Sequence, residues 1–177
     1  MDFSELDLPY EVRQGIEHST FKTCTPVQEA VLPRAIRGED VAAQAQTGTG
    51  KTAAFLISLF TRMVRNPVID LGNSPQALII APTRELADQI FHEAERLGKF
   101  TGFRCLAVYG GIDYEKQRTT LQNGVDVLIG TPGRLIDYFK QHVYSLKKTR
   151  YLIIDEADRM FDMGFMPEVR RIVRHLP

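Results

Sequence analysis

Five short aliphatic runs, each closed by small or polar residues and then a helix-start signal, constrain this chain more than any other feature. They are Asp40-Val41-Ala42-Ala43 before Thr47 to Thr52, Ala77-Leu78-Ile79-Ile80 before Pro82-Thr83, and Cys105-Leu106-Ala107-Val108-Tyr109 before Gly110-Gly111. The other two are Val125-Asp126-Val127-Leu128-Ile129 before Gly130-Thr131-Pro132, and Tyr151-Leu152-Ile153-Ile154 before Asp155-Glu156. Apolar runs of this length read as strands buried on both faces, the kind found in parallel sheets. Between them lie helical patterns. Thr52 to Val64 is apolar on most faces, Glu85 to Leu97 sets Leu86, Ile90 and Leu97 on one stripe, and Thr131-Pro132 opens a helix through Phe139. The alternation predicts an α/β fold, a mostly parallel, doubly wound sheet flanked by helices, with ligands at the carboxyl ends of its strands.

Composition sets the class around that core. The chain has 177 residues, 44% hydrophobic and 25% charged, which gives enough apolar surface to offset the entropy of ordering one domain. Lys+Arg and Asp+Glu are 22 each, so any nucleic-acid contact must rest on local residues rather than bulk charge. No apolar stretch approaches the roughly 20 residues of a membrane span, and the acidic start does not resemble a secretory signal. Two cysteines, Cys24 and Cys105, are too few for a disulfide framework, and His18, His92, His142 and His175 lack metal-ligand spacing. Cys105 reads as a small core residue. The expectation is a soluble cytoplasmic protein without a membrane partner. Residues 1–38 read as a helical preface packed on the sheet, with helices at Pro9 to His18 and from Thr25-Pro26, and residues 39–177 as the α/β domain. Asn66 to Gln76 reads as a surface loop and Lys147 to Arg150 as a solvated basic turn.

Ala45-Gln46-Thr47-Gly48-Thr49-Gly50-Lys51-Thr52 lies between an expected strand and an expected helix, the context in which backbone N–H groups and a helix dipole cradle a phosphate. Gly48 and Gly50 permit the tight backbone, Lys51 would reach the β- and γ-phosphates, and the Thr52 hydroxyl would sit on Mg²⁺. The strict pattern begins with glycine where this chain has Ala45, one methyl group larger. A second element suits the same chemistry. In Leu152-Ile153-Ile154-Asp155-Glu156, Asp155 would hold the metal through water, and Glu156 would orient or deprotonate the hydrolytic water. Taken alone, these carboxylates could equally be helix caps. Together the two elements point to Mg²⁺-dependent binding of a nucleoside triphosphate.

Asp155-Glu156-Ala157-Asp158 spells the signature of the DEAD-box RNA helicases, and the chain resembles that family in further motifs taken in order. Phe21-Lys22-Thr23-Cys24-Thr25-Pro26-Val27-Gln28 is similar to the family's Q motif, with Phe3 as its isolated upstream aromatic. Pro82-Thr83-Arg84-Glu85-Leu86-Ala87 is similar to motif Ia, Gly110-Gly111 to the GG motif, and Thr131-Pro132-Gly133-Arg134 to motif Ib. The wording of Ile129 to Gln141 and of Asp155 to Gly164 resembles one bacterial branch, some members of which work with an RNA-degrading assembly. The resemblance implies a RecA-like P-loop NTPase domain that binds ATP. Gln28 would pair with the adenine edge and Phe21 would stack on the ring; from the residues alone, Phe21 reads as a core aromatic and Gln28 as a solvated helix residue.

The resemblance also implies that Pro82, Thr83, Arg84, Gly110, Gly111, Thr131, Gly133 and Arg134 grip an RNA backbone, with Thr83 and Thr131 capping helices whose N-termini face phosphates. Asp158 would couple the acidic turn to a Ser-Ala-Thr motif on a later strand, and a second RecA-like domain would supply arginine fingers and the other half of the RNA clamp. Neither lies within these residues. The same motifs would serve a helicase that unwinds short duplexes locally or an ATP-gated RNA clamp.

Overall fold

The computed structural model describes all residues from Met1 to Pro177. Its contacts group Met1–Pro67 with His92–Gly102 as one compact unit, and Val68–Phe91 with Phe103–Pro177 as a second.

The first unit is helical. A short 3₁₀ turn, Phe3–Glu5, leads to α1 (Tyr10–His18), α2 (Pro26–Ala35) and α3 (Lys51–Arg65). Helix α2 starts where Thr25-Pro26 predicts: the Thr25 hydroxyl accepts from the Gln28 backbone N–H at 3.4 Å, and the Gln28 side chain accepts from the Thr25 N–H at 2.9 Å. This reciprocal capping satisfies two N–H groups that a helix start leaves orphaned. Helix α3 buries Ala53, Leu56, Ile57, Phe60 and Met63, and α1 and α2 pack along it with Val12, Ile16 and Leu32.

The expected strand Asp40 to Ala43 does not form. These residues are exposed and pair with no neighbour. A strand exists through its ladder bonds, and a four-residue apolar run has no extended structure of its own without them.

The second unit holds a four-stranded parallel sheet of β1 (Ala77–Ile80), β2 (Cys105–Val108), β3 (Val127–Gly130) and β4 (Tyr151–Ile154), in the order β2-β3-β1-β4. Their partners run in register, with Ile80 beside both Gly130 and Ile154, and Val108 beside Gly130. The central strands β1 and β3 are buried at every residue. The outer strands are not, which corrects the expectation of burial on both faces. Cys105 on β2 is half-buried rather than a core residue, and Ile154 ends β4 exposed.

Helices α4 (Arg84–Leu97), α5 (Tyr114–Gln122), α6 (Pro132–Lys140), α7 (Ala157–Asp162) and α8 (Met166–Val173) complete the chain. The core under α6 and α8 gathers Leu128, Leu135, Tyr138, Tyr144, Met160 and Ile172. The loop expected on the surface before β1 is partly internal, because Ser74 and Gln76 are buried. Residues 145–150 pin it: Lys148 donates its backbone N–H to the Ser74 hydroxyl at 2.9 Å, Thr149 donates to the Pro75 carbonyl at 2.7 Å, and the Lys148 ammonium reaches the Asp70 carbonyl. The basic run Lys147 to Arg150 is therefore a structural seam.

Candidate functional site

In the first unit the chain from Ala45 to Thr52 makes an exposed turn that opens α3. Gly48 and Gly50 both have left-handed backbone, at φ +80° and +88°, and Gly50 caps the helix. Only glycine takes up these angles without strain. The Thr49 hydroxyl donates to the Gln46 carbonyl at 2.6 Å, which closes the turn. Gln46, Thr47 and Gly48 are exposed, so their backbone N–H groups can reach a ligand, while Lys51 and Thr52 stand half-buried on the first turn of α3. That arrangement fits a polyphosphate: a positive helix end, free amides and one ammonium.

Gln28 is 3% exposed, so it is not the solvated residue that its helix pattern suggests. Its amide donates to the Gly50 carbonyl at 3.1 Å, and a Cβ built on Gly50 would lie 2.5 Å from that nitrogen. Gln28 thus joins the capping box of α2 to the phosphate turn. Phe21 lies against Phe3, with ring centroids 6.3 Å apart and planes 25° apart, and the Arg96 guanidinium sits 5.3 Å from the Phe21 centroid. Phe3 is buried and Phe21 half-buried. The Arg96 contact has no signal in the local sequence, because it joins residues far apart in the chain.

In the second unit the four strand ends emit the remaining candidates. After β4 the Asp155 N–H continues the ladder to the Ile80 carbonyl at 3.0 Å, and the Glu156 N–H donates to the Asp155 carboxylate at 3.0 Å. Glu156 has φ +52° and ψ +50°, a left-handed conformation that costs a non-glycine residue about 1–2 kcal/mol. Strain of this kind is concentrated at functional sites. Arg159 pairs with the Glu156 carboxylate at 3.3 Å, and Asp158 is exposed on the first turn of α7.

After β1 the Thr83 hydroxyl accepts from the Leu86 N–H at 3.2 Å and caps α4. Arg84 is exposed and pairs with Glu85 at 3.1 Å. The backbone N–H and Arg84 together hold the Glu85 carboxyl below its ordinary range. After β2 the GG turn comes beside Arg84: Gly111 has φ +86°, and a Cβ there would lie 2.6 Å from the Arg84 guanidinium. Two turns expected to share a ligand are thus in contact. After β3 Thr131 opens α6, but its hydroxyl makes no cap bond; its carbonyl accepts from Leu135 at 3.1 Å. Gly133 is exposed with open space around it, and Pro82 is buried.

Residues outside these motifs support the turns. Gln117, 5% exposed, accepts from the Tyr109 N–H at 3.0 Å and donates to the carbonyls of Tyr109 and Asp113 at 3.4 and 3.3 Å. The Tyr109 hydroxyl donates to Asp88 at 3.0 Å, which ties the GG turn to α4; burial and then this carboxylate push the Tyr109 phenol up. The signal was available only in part: Asp113 is a recognisable cap, accepting from Lys116 at 3.1 Å, but the inward turn of Gln117 is a tertiary fact.

The family described as DEAD/DEAH box helicase matches residues 25–177. A protein named ATP-dependent RNA helicase RhlB from Xanthomonas oryzae pv. oryzae is 52% identical, across 99% of this chain and 31% of its own length. One of the same name from Vibrio vulnificus is 48% identical, across 99% of this chain and 41% of its own. This chain spans about a third of the length of the curated relatives it matches. No helix is long and apolar enough to cross a membrane.

Proposed function

The chain belongs to the DEAD/DEAH box helicase family, and from that premise we propose that it is the ATP- and RNA-binding part of an ATP-dependent RNA helicase acting in the cytoplasm. The observation that carries the reading is the exposed, glycine-built turn that ends on Lys51 at the start of α3. Its amides and Lys51 hold the phosphates. Thr52 would offer a metal its hydroxyl and Asp155 a carboxylate acting through water, and such oxygen donors suit a hard cation such as Mg²⁺. When bound, that ion neutralises phosphate charge. Glu156 takes the proton from the attacking water, and its strained backbone fixes the direction in which the carboxylate points.

Specificity for adenine lies with Phe21, packed on Phe3, and Gln28. Gln28 has one N–H on the Gly50 carbonyl and keeps a second donor and a further acceptor position. A nucleotide edge competing for that amide would be felt at the phosphate turn. RNA is gripped through its backbone by the Pro82 to Arg84, Gly110-Gly111 and Thr131 to Arg134 turns, with little sequence preference. Residues 1–38 act as the segment carrying the adenine contacts and 39–177 as the first RecA-like domain. A second such domain, coupled through Asp158, completes the clamp. Closure of the two on ATP and RNA bends one strand and separates a short duplex; product release reopens them. From the resemblance of residues 129–141 and 155–164 to one bacterial branch of the family, an RNA-degrading assembly is proposed as a partner.

The test is strand displacement and ATP turnover by the full-length protein. RNA should stimulate hydrolysis, and Glu156→Gln should retain ATP while turnover falls about 10²- to 10⁴-fold. ATP-dependent RNA binding without displacement would favour the clamp, and equal stimulation by DNA would overturn the RNA assignment.

A further inference from the structure

Arg134 does not extend freely into solvent. Its guanidinium carbon lies 4.7 Å from the centroid of the Tyr114 ring and 5.4 Å from that of Tyr138, and the two rings are 4.9 Å apart with planes at 46°. One of its terminal nitrogens donates to the Tyr138 hydroxyl at 3.4 Å, and that hydroxyl donates to the Tyr114 carbonyl at 2.7 Å. Tyr138 is fully buried. The ring of Tyr114 is fixed in turn, because its hydroxyl accepts from the Gln141 amide at 2.5 Å and Gln141 also donates to Asp137 at 2.8 Å. A guanidinium held against aromatic rings with one bond to the Tyr138 hydroxyl keeps most of its donors available, and a planar fork held at one angle matches a phosphate in a bidentate way.

Tyr114 is also the first residue of α5, the helix whose Gln117 clips the backbone of the GG turn at Tyr109. One short helix therefore touches two of the turns assigned to RNA. We infer that Tyr114 is a positioning residue for RNA binding: its ring holds the Arg134 guanidinium edge-outward, and α5 sets that angle relative to the Gly110-Gly111 turn. The inference rests on the reading of Arg134 as an RNA contact. Without the ring, Arg134 keeps its charge and loses its direction, so RNA binding should weaken.

The experiment measures binding of single-stranded oligoribonucleotide by the full-length protein across a salt series, for Tyr114→Leu, Tyr114→Phe, Arg134→Gln and the Tyr114→Leu/Arg134→Gln pair. Arg134→Gln should weaken binding about tenfold and make the slope of log affinity against log salt shallower by about 0.7, the loss of one phosphate contact. Tyr114→Leu should weaken binding about two- to fivefold and move the slope in the same direction although no charge is removed. Tyr114→Phe keeps the ring and should bind like the parent, which separates stacking from the Gln141 bond. In the Arg134→Gln background Tyr114→Leu should have no further effect.

An unchanged affinity and slope for Tyr114→Leu beside a weakened Arg134→Gln would overturn the positioning role and leave the RNA assignment standing. Additive losses in the pair would also overturn it, since Tyr114 would then act without Arg134. No effect from Arg134→Gln would remove the RNA assignment of that residue and this inference with it.

Discussion

Between Gln46 and Gly50 the turn is made of backbone: two glycines with positive φ, one internal bond from Thr49, and one side chain, Gln28, on the Gly50 carbonyl. Along the edge of the sheet the turns are held by side chains, with Tyr109 on Asp88, Gln117 on Tyr109, and Tyr114 and Tyr138 around Arg134. The difference follows from what each must present. A phosphate cradle offers main-chain N–H groups, so props would stand where the ligand goes. A row of turns that meets an extended backbone offers charges on long side chains, and those need support to keep a direction. On the proposed function, one region would select its ligand through backbone shape and the other through braced side chains.

That contrast predicts unequal responses to charge removal. Lys51 is the only cation in the phosphate turn, so Lys51→Ala should weaken ATP binding by about 100-fold or more, on the order of 3 kcal/mol for a lost charge-assisted contact. Arg84→Gln should weaken RNA binding by no more than about tenfold, because the edge shares its contacts among several turns. Parallel titrations of fluorescent nucleotide and of oligoribonucleotide measure both. Equal losses would erase the distinction, and unchanged nucleotide affinity in Lys51→Ala would remove the phosphate-turn assignment.

The two glycines of the cradle give a smaller, finer test. Gly50→Ala carries the strain of a left-handed residue and forces its Cβ against the Gln28 amide, for a combined cost of about 2–3 kcal/mol. Gly48 has similar backbone but nothing within 4 Å, so Gly48→Ala should cost about 1 kcal/mol. Urea unfolding of the two variants decides it. If both lost the same stability, Gln28 would not brace the turn.

An effect confined to alkaline pH is expected on the braced side alone. Burial pushes the Tyr144 phenol well above its ordinary range, and its hydroxyl donates to the Leu135 carbonyl at 2.9 Å, inside the helix that carries Arg134. The folded chain keeps this proton where the unfolded chain releases it near pH 10, so stability is whole below that pH and falls above it. The slope is about 1.4 kcal/mol per pH unit for one such phenol. Tyr144→Phe should flatten the fall above pH 10 by that amount, and an unchanged slope would show that Tyr144 does not titrate with unfolding.

Much of the sheet was legible because β1 and β4 are mostly aliphatic with sharp ends, and Pro82-Thr83 and Asp155-Glu156 mark where each stops. Asp40 to Ala43 carries the same local pattern and forms no strand, since the ladder that makes a strand is supplied by another segment. The phosphate turn was legible because its chemistry is local: glycines, lysine and threonine sit within a few residues of one another. Gln28 was legible as a residue of interest but not as a buried one, and the supports at Gln117, Tyr114 and Asp88 were not legible at all. Their roles depend on which helix face meets which turn. Thr131 shows the reverse error, a residue type that fits a cap and a hydroxyl that makes none.

The parallel register gives the edge a property of its own. Because Val108, Gly130, Ile80 and Ile154 stand abreast, the strand ends from which the turns depart are set one strand spacing apart, about 4.8 Å. They also line up in an order that differs from the chain: Gly110-Gly111, then Thr131 to Arg134, then Pro82 to Arg84, then Asp155-Glu156. The sheet is in this sense a ruler. Insertions in the connecting loops could lengthen the chain freely while the graduations stayed where they are, so a binding partner laid across them would be measured by strand pairing rather than by sequence distance.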